Sequence, residues 1–576
     1  MKFGASPVLA LTLPAWRSSL LIAASIAGFA VLLSRAAYLQ GFDNDFLQAK
    51  GESRYSRVIE IPAHRGRILD RNGEALAIST PVKSIWAIPD EVHLQRRDLV
   101  RLAALLEMQP REIENRLADT SRDFVFLKRQ VPPQVAEGVA GLRIPGVFQN
   151  REYRRYYPGG EAMAQALGFT GADDIGQEGI ELAFQEILAG KPGSRRVIKD
   201  RLGQTVEDVE SIKAAQDGHD LVLSLDARIQ NLAFSQLRAA VEQHRAKAGG
   251  IVVVDVNTGE VLALANYPTF NPNNRSRLSG VRLRNRTVTD AFEPGSTLKP
   301  FTIALALETG SVRPDTVIHT APGSLSIGAA TIRDAHAERA LTVTQVIQKS
   351  SNVGAAKIAL ALPAEAMWEM FQSLGFGNSP QLGFPGEATG KLRPYHSWRP
   401  IEQATMSYGH GISVSLVQLA RAYNVFARDG EIVPLSLVRV DVPPTGRRVV
   451  APATARAVRA MLELAVNRSG TAPRAQIMGY RVAGKTGTAH KQEDGAYAPD
   501  KYVSSFVGFA PASLPRLVVA VMIDEPSDGL YYGGAVAAPV FAQVMAGALR
   551  LLDVPPDGPM RPVDLPAEGE EVKESI

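Results

Sequence analysis

Phe292-Glu293-Pro294-Gly295-Ser296-Thr297-Leu298-Lys299-Pro300 is the stretch on which the reading of this 576-residue chain turns. Pro294-Gly295 predicts a turn, and the apolar residues that follow predict a helix entered from it. Residues three apart on a helix share a face. Ser296 and Lys299 therefore place an amine beside a hydroxyl. A serine hydroxyl is a weak nucleophile at neutral pH and needs an adjacent base. A lysine serves as that base when burial and neighbouring cations lower its pKa. The helix N-terminus adds backbone N–H groups where an oxyanion can form. Taken alone, the pattern reads rather as a capping serine with a surface lysine, since one such pair is expected about once by chance in a chain like this.

Two further elements follow. Ser350-Ser351-Asn352 lies 54 residues after Ser296. Its serine and amide offer one hydroxyl for proton relay and one amide to hold a substrate carbonyl, although such a tripeptide is also an ordinary cap. Lys485-Thr486-Gly487-Thr488 comes 135 residues after Ser350, behind an expected strand over 480–484. There Gly487 lets a substrate backbone approach closely. A strand edge can bind an extended peptide by strand addition. Lys485 and the hydroxyls of Thr486 and Thr488 suit a terminal carboxylate. The three elements in this order resemble the signature of the penicillin-binding and serine β-lactamase superfamily.

Working outward, the pattern around these elements predicts a large α/β (α+β) unit. Strands are expected at 249–256 and 261–266, joined by the turn Asn257-Thr258-Gly259-Glu260, and again at 502–508 and 517–523. A long helix is expected over 341–362 and a last one over 539–552. Strands at both ends with helices between suggest a mixed sheet covered by helices. Ahead of this unit, residues 37–215 read as a mixed pedestal domain, with a strand at 58–62, a strand-like run at 65–73 and a helix at 110–117. Residues 216–552 then form the catalytic domain. The tail, 553–576, is rich in Pro, Glu and Gly and is expected to be disordered.

At the other end, Ser18 to Ser34 carries no charge and is bracketed by Arg17 and Arg35, with Trp16 at one edge. This predicts a transmembrane anchor at 16–36. Lys2 and Arg17 on one side, against Asp43 and Asp45 on the other, favour a cytoplasmic tail at 1–15 and an exported body. A cleaved signal peptide is the rival, but Ser34-Arg35-Ala36-Ala37 is a poor cleavage site. The formal charge of +4 is scattered, which argues against nucleic-acid binding. There is no cysteine, and the nine histidines form no H-E-x-x-H pair. No metal or other cofactor is called for.

Longer matches resemble the class B penicillin-binding proteins, and within them the division-specific members. They include Arg65-Gly66 with Asp70-Arg71-Asn72-Gly73, Arg155-Tyr156-Tyr157-Pro158-Gly159-Gly160, Gly176 to Glu181 and Lys199 to Gly203. Asp255 to Glu260, Arg284-Asn285-Arg286, Ser407-Tyr408-Gly409 and Tyr531 to Ala535 continue the series. The resemblance implies one membrane helix, a dimerisation-type pedestal and a transpeptidase domain. It implies a serine-type D-Ala-D-Ala transpeptidase in which Ser296 is acylated by a peptidoglycan stem peptide. Lys299 would act as base, and Ser350 and Lys485 as proton relay. Asn352 would hold the acyl-side amide, with the backbone N–H groups of Ser296 and Thr488 as oxyanion hole. An amine acceptor would close the cross-link, and β-lactams would trap the serine. It further implies an inner-membrane protein with its catalytic domain in the periplasm at the septum, and FtsW and other divisome membrane proteins as partners. An elongation-specific enzyme, or a β-lactam sensor or scaffold of the same fold, is the alternative. His410 departs from the aromatic expected after Ser407-Tyr408-Gly409 and reads as a packing substitute. Glu463 to Asn467 matches the E-x-x-x-N pattern of class A β-lactamases, but reads as an ordinary helix.

Overall fold

The computed structural model describes residues 15–41, 56–199, 205–276, 278–493, 495–563, 565 and 574. Residues 1–14 of the expected cytoplasmic tail, Asp43 and Asp45, the Asp200 to Gly203 part of one family match and 566–573 of the tail lie outside these. The chain divides into two compact units, one of 1–63, 83–150 and 191–216 and one of 64–82, 151–190 and 217–576. This contact division is not the linear one expected at 215/216. Two segments of the supposed pedestal, 64–82 and 151–190, belong with the larger unit.

The expected anchor is a helix, Ala15–Gly41, of 27 residues. At 1.5 Å per residue it is about 40 Å long, against about 30 Å for a bilayer core. Its large apolar side chains, among them Leu21, Phe29 and Leu33, are exposed. Among the described residues nothing covers them, which fits a helix that crosses a membrane once.

The rest of the smaller unit contains the antiparallel sheet of Ser56–Ile61, Gly193–Lys199 and Thr205–Lys213. A separate core gathers Ile85, Leu102, Leu106, Ile113 and Leu127. The helices Arg96–Leu105 and Pro110–Leu117 supply much of it, each turning one apolar stripe inward.

The two segments that belong to the larger unit are tied to each other by buried charge. Arg65 donates from Nε (2.8 Å) and Nη2 (2.7 Å) to Glu181 Oε2. Arg155 Nε donates to Glu181 Oε1 at 2.7 Å, and all three side chains are buried. The expected strand at 65–73 is short, Ile68–Leu69, and Arg65 lies ahead of it. Breaking a buried pair strands charge in low dielectric. Glu181→Ala is therefore expected to destabilise the protein by about 3–5 kcal/mol, read as a fall in the thermal unfolding midpoint of the full chain in detergent. A midpoint within a degree of the parent would show that the triad is structurally neutral.

The larger unit is built on a five-stranded sheet ordered 261–267, 248–255, 517–524, 496–510, 483–493. Every neighbouring pair is antiparallel, which corrects the expected mixed sheet. Side chains alternate across it. Val252 and Val254 enter the core beneath the helices Lys299–Glu308, Leu416–Ala427 and Pro452–Val466. Ile251 and Val253 enter the opposite core, covered by Ala227–Gln243 and Gly533–Leu551. The result is a three-layer α+β sandwich. The last helix starts six residues earlier than expected, and Pro539 lies within it, since Gly533 and Gly534 already enter the fold. Although apolar enough to cross a membrane, this helix is a core element with 56% of its apolar window buried. The beginning of the tail is not loose: Asp557 accepts hydrogen bonds from the backbone N–H groups of Arg481 (2.7 Å) and Ser513 (3.1 Å).

Candidate active site

Three local structures carry the three sequence elements. Gly295 adopts φ +56°, a conformation open to glycine, and starts a tight 3-10 turn, Gly295–Leu298. The turn feeds the helix Lys299–Glu308, so Ser296 stands just before the helix and Lys299 at its first residue. Thr297 Oγ1 donates to Pro294 O (2.7 Å), and the buried Tyr423 hydroxyl donates to Thr297 O (2.8 Å). The turn is thus pinned from both sides.

The single helix expected over 341–362 is two helices, Val343–Gln348 and Asn352–Leu360. The break falls at Ser350, which takes φ +60°. Ser351 caps the second helix by accepting from Gly354 N at 2.8 Å. Asp334 stabilises the break, accepting from Ser351 Oγ at 2.6 Å and from Val353 N at 2.9 Å. Asn352 Nδ2 reaches Arg333 O at 3.4 Å.

Lys485 to Thr488 lie inside a strand, Ala483–Glu493, rather than after one. This is an edge strand of the sheet, paired on one side only. A Cβ on Gly487 would lie 2.6 Å from Pro294 O and 2.5 Å from Ser505 Oγ. Only glycine lets the serine turn approach this strand so closely. Gly487→Ala is expected to push the turn away and lower penicillin acylation by roughly 100-fold, the scale of an ångström-sized misplacement. A stopped-flow acylation rate equal to that of the parent would refute the close-approach argument.

Tertiary packing joins the three elements. Lys299 Nζ lies 2.9 Å from Ser296 Oγ, 2.5 Å from Ser350 O and 3.0 Å from Ser350 Oγ. Lys485 Nζ also donates to Ser350 Oγ, at 3.0 Å. One hydroxyl thereby links two lysines. All of Ser296, Lys299, Ser350, Asn352, Lys485, Thr486 and Thr488 are buried. Burial, and secondarily the Lys485 charge, hold the Lys299 amine well below its usual pKa. Burial brings Lys485 down to about 8, partly countered by Glu574. Lys299 also faces the Tyr408 ring at 5.9 Å, which places the Ser407-Tyr408-Gly409 match at the site.

His410 stacks edgewise on Tyr408 (5.2 Å) and lies 6.0 Å from the Tyr497 ring. Burial, then Lys299, lower it to about 4, so it stays neutral and packs as an aromatic would. Glu463 is on the helix Pro452–Val466 and forms a two-pronged ion pair with Arg481 at 2.9–3.0 Å. It is thus engaged as a helix-to-strand tether. Among the described residues, no cluster of three His, Asp or Glu side chains is placed to hold a metal ion.

Sequence reasoning passed over three residues. Asp334 carries no motif signal. Glu293 sits within the opening stretch, yet its role is long-range: it accepts from Gly411 N (2.8 Å), Gln492 Nε2 (3.0 Å) and Tyr497 OH (3.0 Å), tying loops around the serine turn. Glu574 lay in the supposedly disordered tail and is 3% exposed against the edge strand.

A serine turn and a lysine-bearing strand edge, set on a helix-covered antiparallel sheet, define a penicillin-binding transpeptidase domain. The family model for the penicillin binding protein transpeptidase domain matches residues 249–546, and that for the penicillin-binding protein dimerisation domain matches 60–223. The chain belongs to the class B penicillin-binding proteins. It is 43% identical over 548 residues, 94% of each chain, to the probable peptidoglycan D,D-transpeptidase PenA of Neisseria gonorrhoeae. It is also 43% identical to the peptidoglycan D,D-transpeptidase FtsI of Escherichia coli K12, covering 94% of this chain and 93% of that one. The apo transpeptidase domain of Burkholderia pseudomallei penicillin-binding protein 3 is 51% identical, with a TM-score of 0.55, over 58% of this chain and 98% of that one.

Proposed function

We propose that this protein is a peptidoglycan D,D-transpeptidase that cross-links stem peptides through an acyl-enzyme on Ser296, and that β-lactams inhibit it by acylating the same oxygen. The observation that carries the reading is the contact of Lys299 with Ser296, with Ser350 bridging on to Lys485. With its proton lost, Lys299 Nζ accepts the Ser296 proton as Oγ attacks the carbonyl of the penultimate D-Ala. The carbonyl oxygen develops charge facing the backbone N–H groups of Ser296 and Thr488. Collapse expels the terminal D-Ala as an amine, protonated along Lys299, Ser350 and Lys485. An amine of a neighbouring stem then attacks the ester, the new amide forms and the Ser296 hydroxyl is restored. Asn352 holds the acyl-side amide. The strand edge at Gly487 pairs with the extended peptide, and Thr486 and Thr488 receive its terminal carboxylate. The helix at 15–41 tethers the catalytic unit to the outer face of the inner membrane, in the periplasm, and FtsW supplies the nascent glycan at the division septum.

The test is mass spectrometry of the full chain in detergent after exposure to a penicillin. One covalent adduct is expected, mapping to the peptide that contains Ser296 and hydrolysing slowly. An adduct elsewhere would sink the assignment. Rapid turnover of the adduct would favour a β-lactamase. Imaging a fluorescent fusion separates a septal enzyme from an elongation enzyme, which would decorate the lateral wall.

A further inference from the structure

One buried charge at the strand edge is not used by this mechanism. Glu574 Oε2 accepts from Thr488 Oγ1 at 2.9 Å, and Oε1 accepts from Gly534 N at 2.8 Å. Gly534 is in the first turn of the 19-residue helix Gly533–Leu551, where free N–H groups favour an anion. Thr488 Oγ1 in turn accepts from Gly533 N at 3.0 Å, so its proton is directed at the carboxylate. Burial raises the Glu574 pKa, and Lys485, the Gly534 N–H and the hydroxyls of Thr488 and Thr486 oppose that shift. A carboxylate is removed from water at a large free-energy cost unless donors and a cation replace the lost hydration. Here two hydrogen bonds, a helix N-terminus and a lysine offset part of that cost.

Thr486 and Thr488 are the groups to which the proposed function assigns the substrate's terminal carboxylate. We infer that Glu574 is a tethered competitor: its side chain occupies the carboxylate place on the edge strand, and substrate or β-lactam must displace it. The inference rests on that reading of the site. A site occupied by its own chain binds an incoming ligand with an affinity reduced by the unoccupied fraction. Lys485, which attracts the competitor, would equally attract the substrate's carboxylate.

The experiment measures the second-order rate of acylation by a fluorescent penicillin on the full chain in detergent. Glu574→Ala is expected to raise it by roughly tenfold, the factor for a site nine-tenths occupied by its own chain. Glu571→Ala, which also removes one negative charge from the same tail, is expected to leave it unchanged. A peptide of residues 565–576 added in trans should slow the Glu574→Ala protein, whereas the same peptide with alanine at 574 should not. An unchanged rate in Glu574→Ala would overturn the inference. So would a lower rate with the unfolding midpoint preserved, since Glu574 would then be a brace for the strand. Equal acceleration by Glu571→Ala would also overturn it, reducing the effect to net charge. Ser296→Ala in the same backgrounds reports on the acyl-enzyme reading independently: loss of label there upholds that reading whichever way Glu574 turns out.

Discussion

Ser296→Ala is expected to abolish covalent labelling by penicillin and to reduce peptide cross-linking by about 10⁶-fold, the order found when an acyl-accepting serine is removed. Among the described residues no other hydroxyl is placed to substitute. Ser350 Oγ is also within reach of Lys299, at 3.0 Å, but it is held by Lys485 as well and sits on a left-handed residue. The fold should survive. The substitution deletes one hydroxyl, and a hydrogen bond of this kind contributes about 1 kcal/mol. A labelled Ser296→Ala protein with a normal unfolding midpoint would refute the nucleophile assignment directly. Non-covalent binding of the β-lactam should persist in the variant, because the strand edge and Thr486 and Thr488 are untouched.

Lys299→Met is the second large effect. It keeps most of the buried stem and removes the amine. General base catalysis contributes about 10²–10⁴ in rate, and acylation should fall by that factor while the serine remains in place. The pH profile adds a sharper check. Burial, reinforced by Lys485, depresses Lys299. The parent rate should therefore rise with pH as Lys299 loses its proton, on a limb lying well below the ordinary lysine range. It should fall again above about 8, where Lys485 loses its own. Both lysines meet on Ser350 Oγ, so the two limbs belong to the coupled pair. Lys299→Met should erase the acidic limb. Lys485→Met removes a like charge, which favours protonation of Lys299, so the acidic limb should move to higher pH. A profile that keeps its acidic limb in Lys299→Met would show that another group is the base.

What was legible along the chain was whatever depends on near neighbours. The Ser296–Lys299 pairing follows from three residues of a turn entering a helix. The hairpin at 248–267 follows from two apolar runs and the Asn-Thr-Gly turn between them, with Asp255 Oδ1 accepting from Asn257 N at 2.9 Å. The anchor follows from hydropathy alone. The order of the three motifs marked the family, because together they are specific where each alone is not.

Packing decided the rest. Periodicity ran straight through Ser350, since a left-handed residue there is stabilised from outside, by Asp334 acting 17 and 19 residues away on Ser351 and Val353. The same holds for Lys485, 135 residues from the hydroxyl it shares with Lys299. It holds also for Arg65, whose buried guanidinium meets a carboxylate 116 residues on. A lysine's pKa is set by how much water is removed from it and which charges face it, and neither quantity exists until the chain has folded. The sequence by itself therefore determined the candidate residue types, their local spacing, the long apolar N-terminal helix and the family. Only the tertiary structure made two buried lysines and a serine one proton-sharing unit, and brought Glu574 to the same strand edge, because burial and long-range contact are properties of the packed chain.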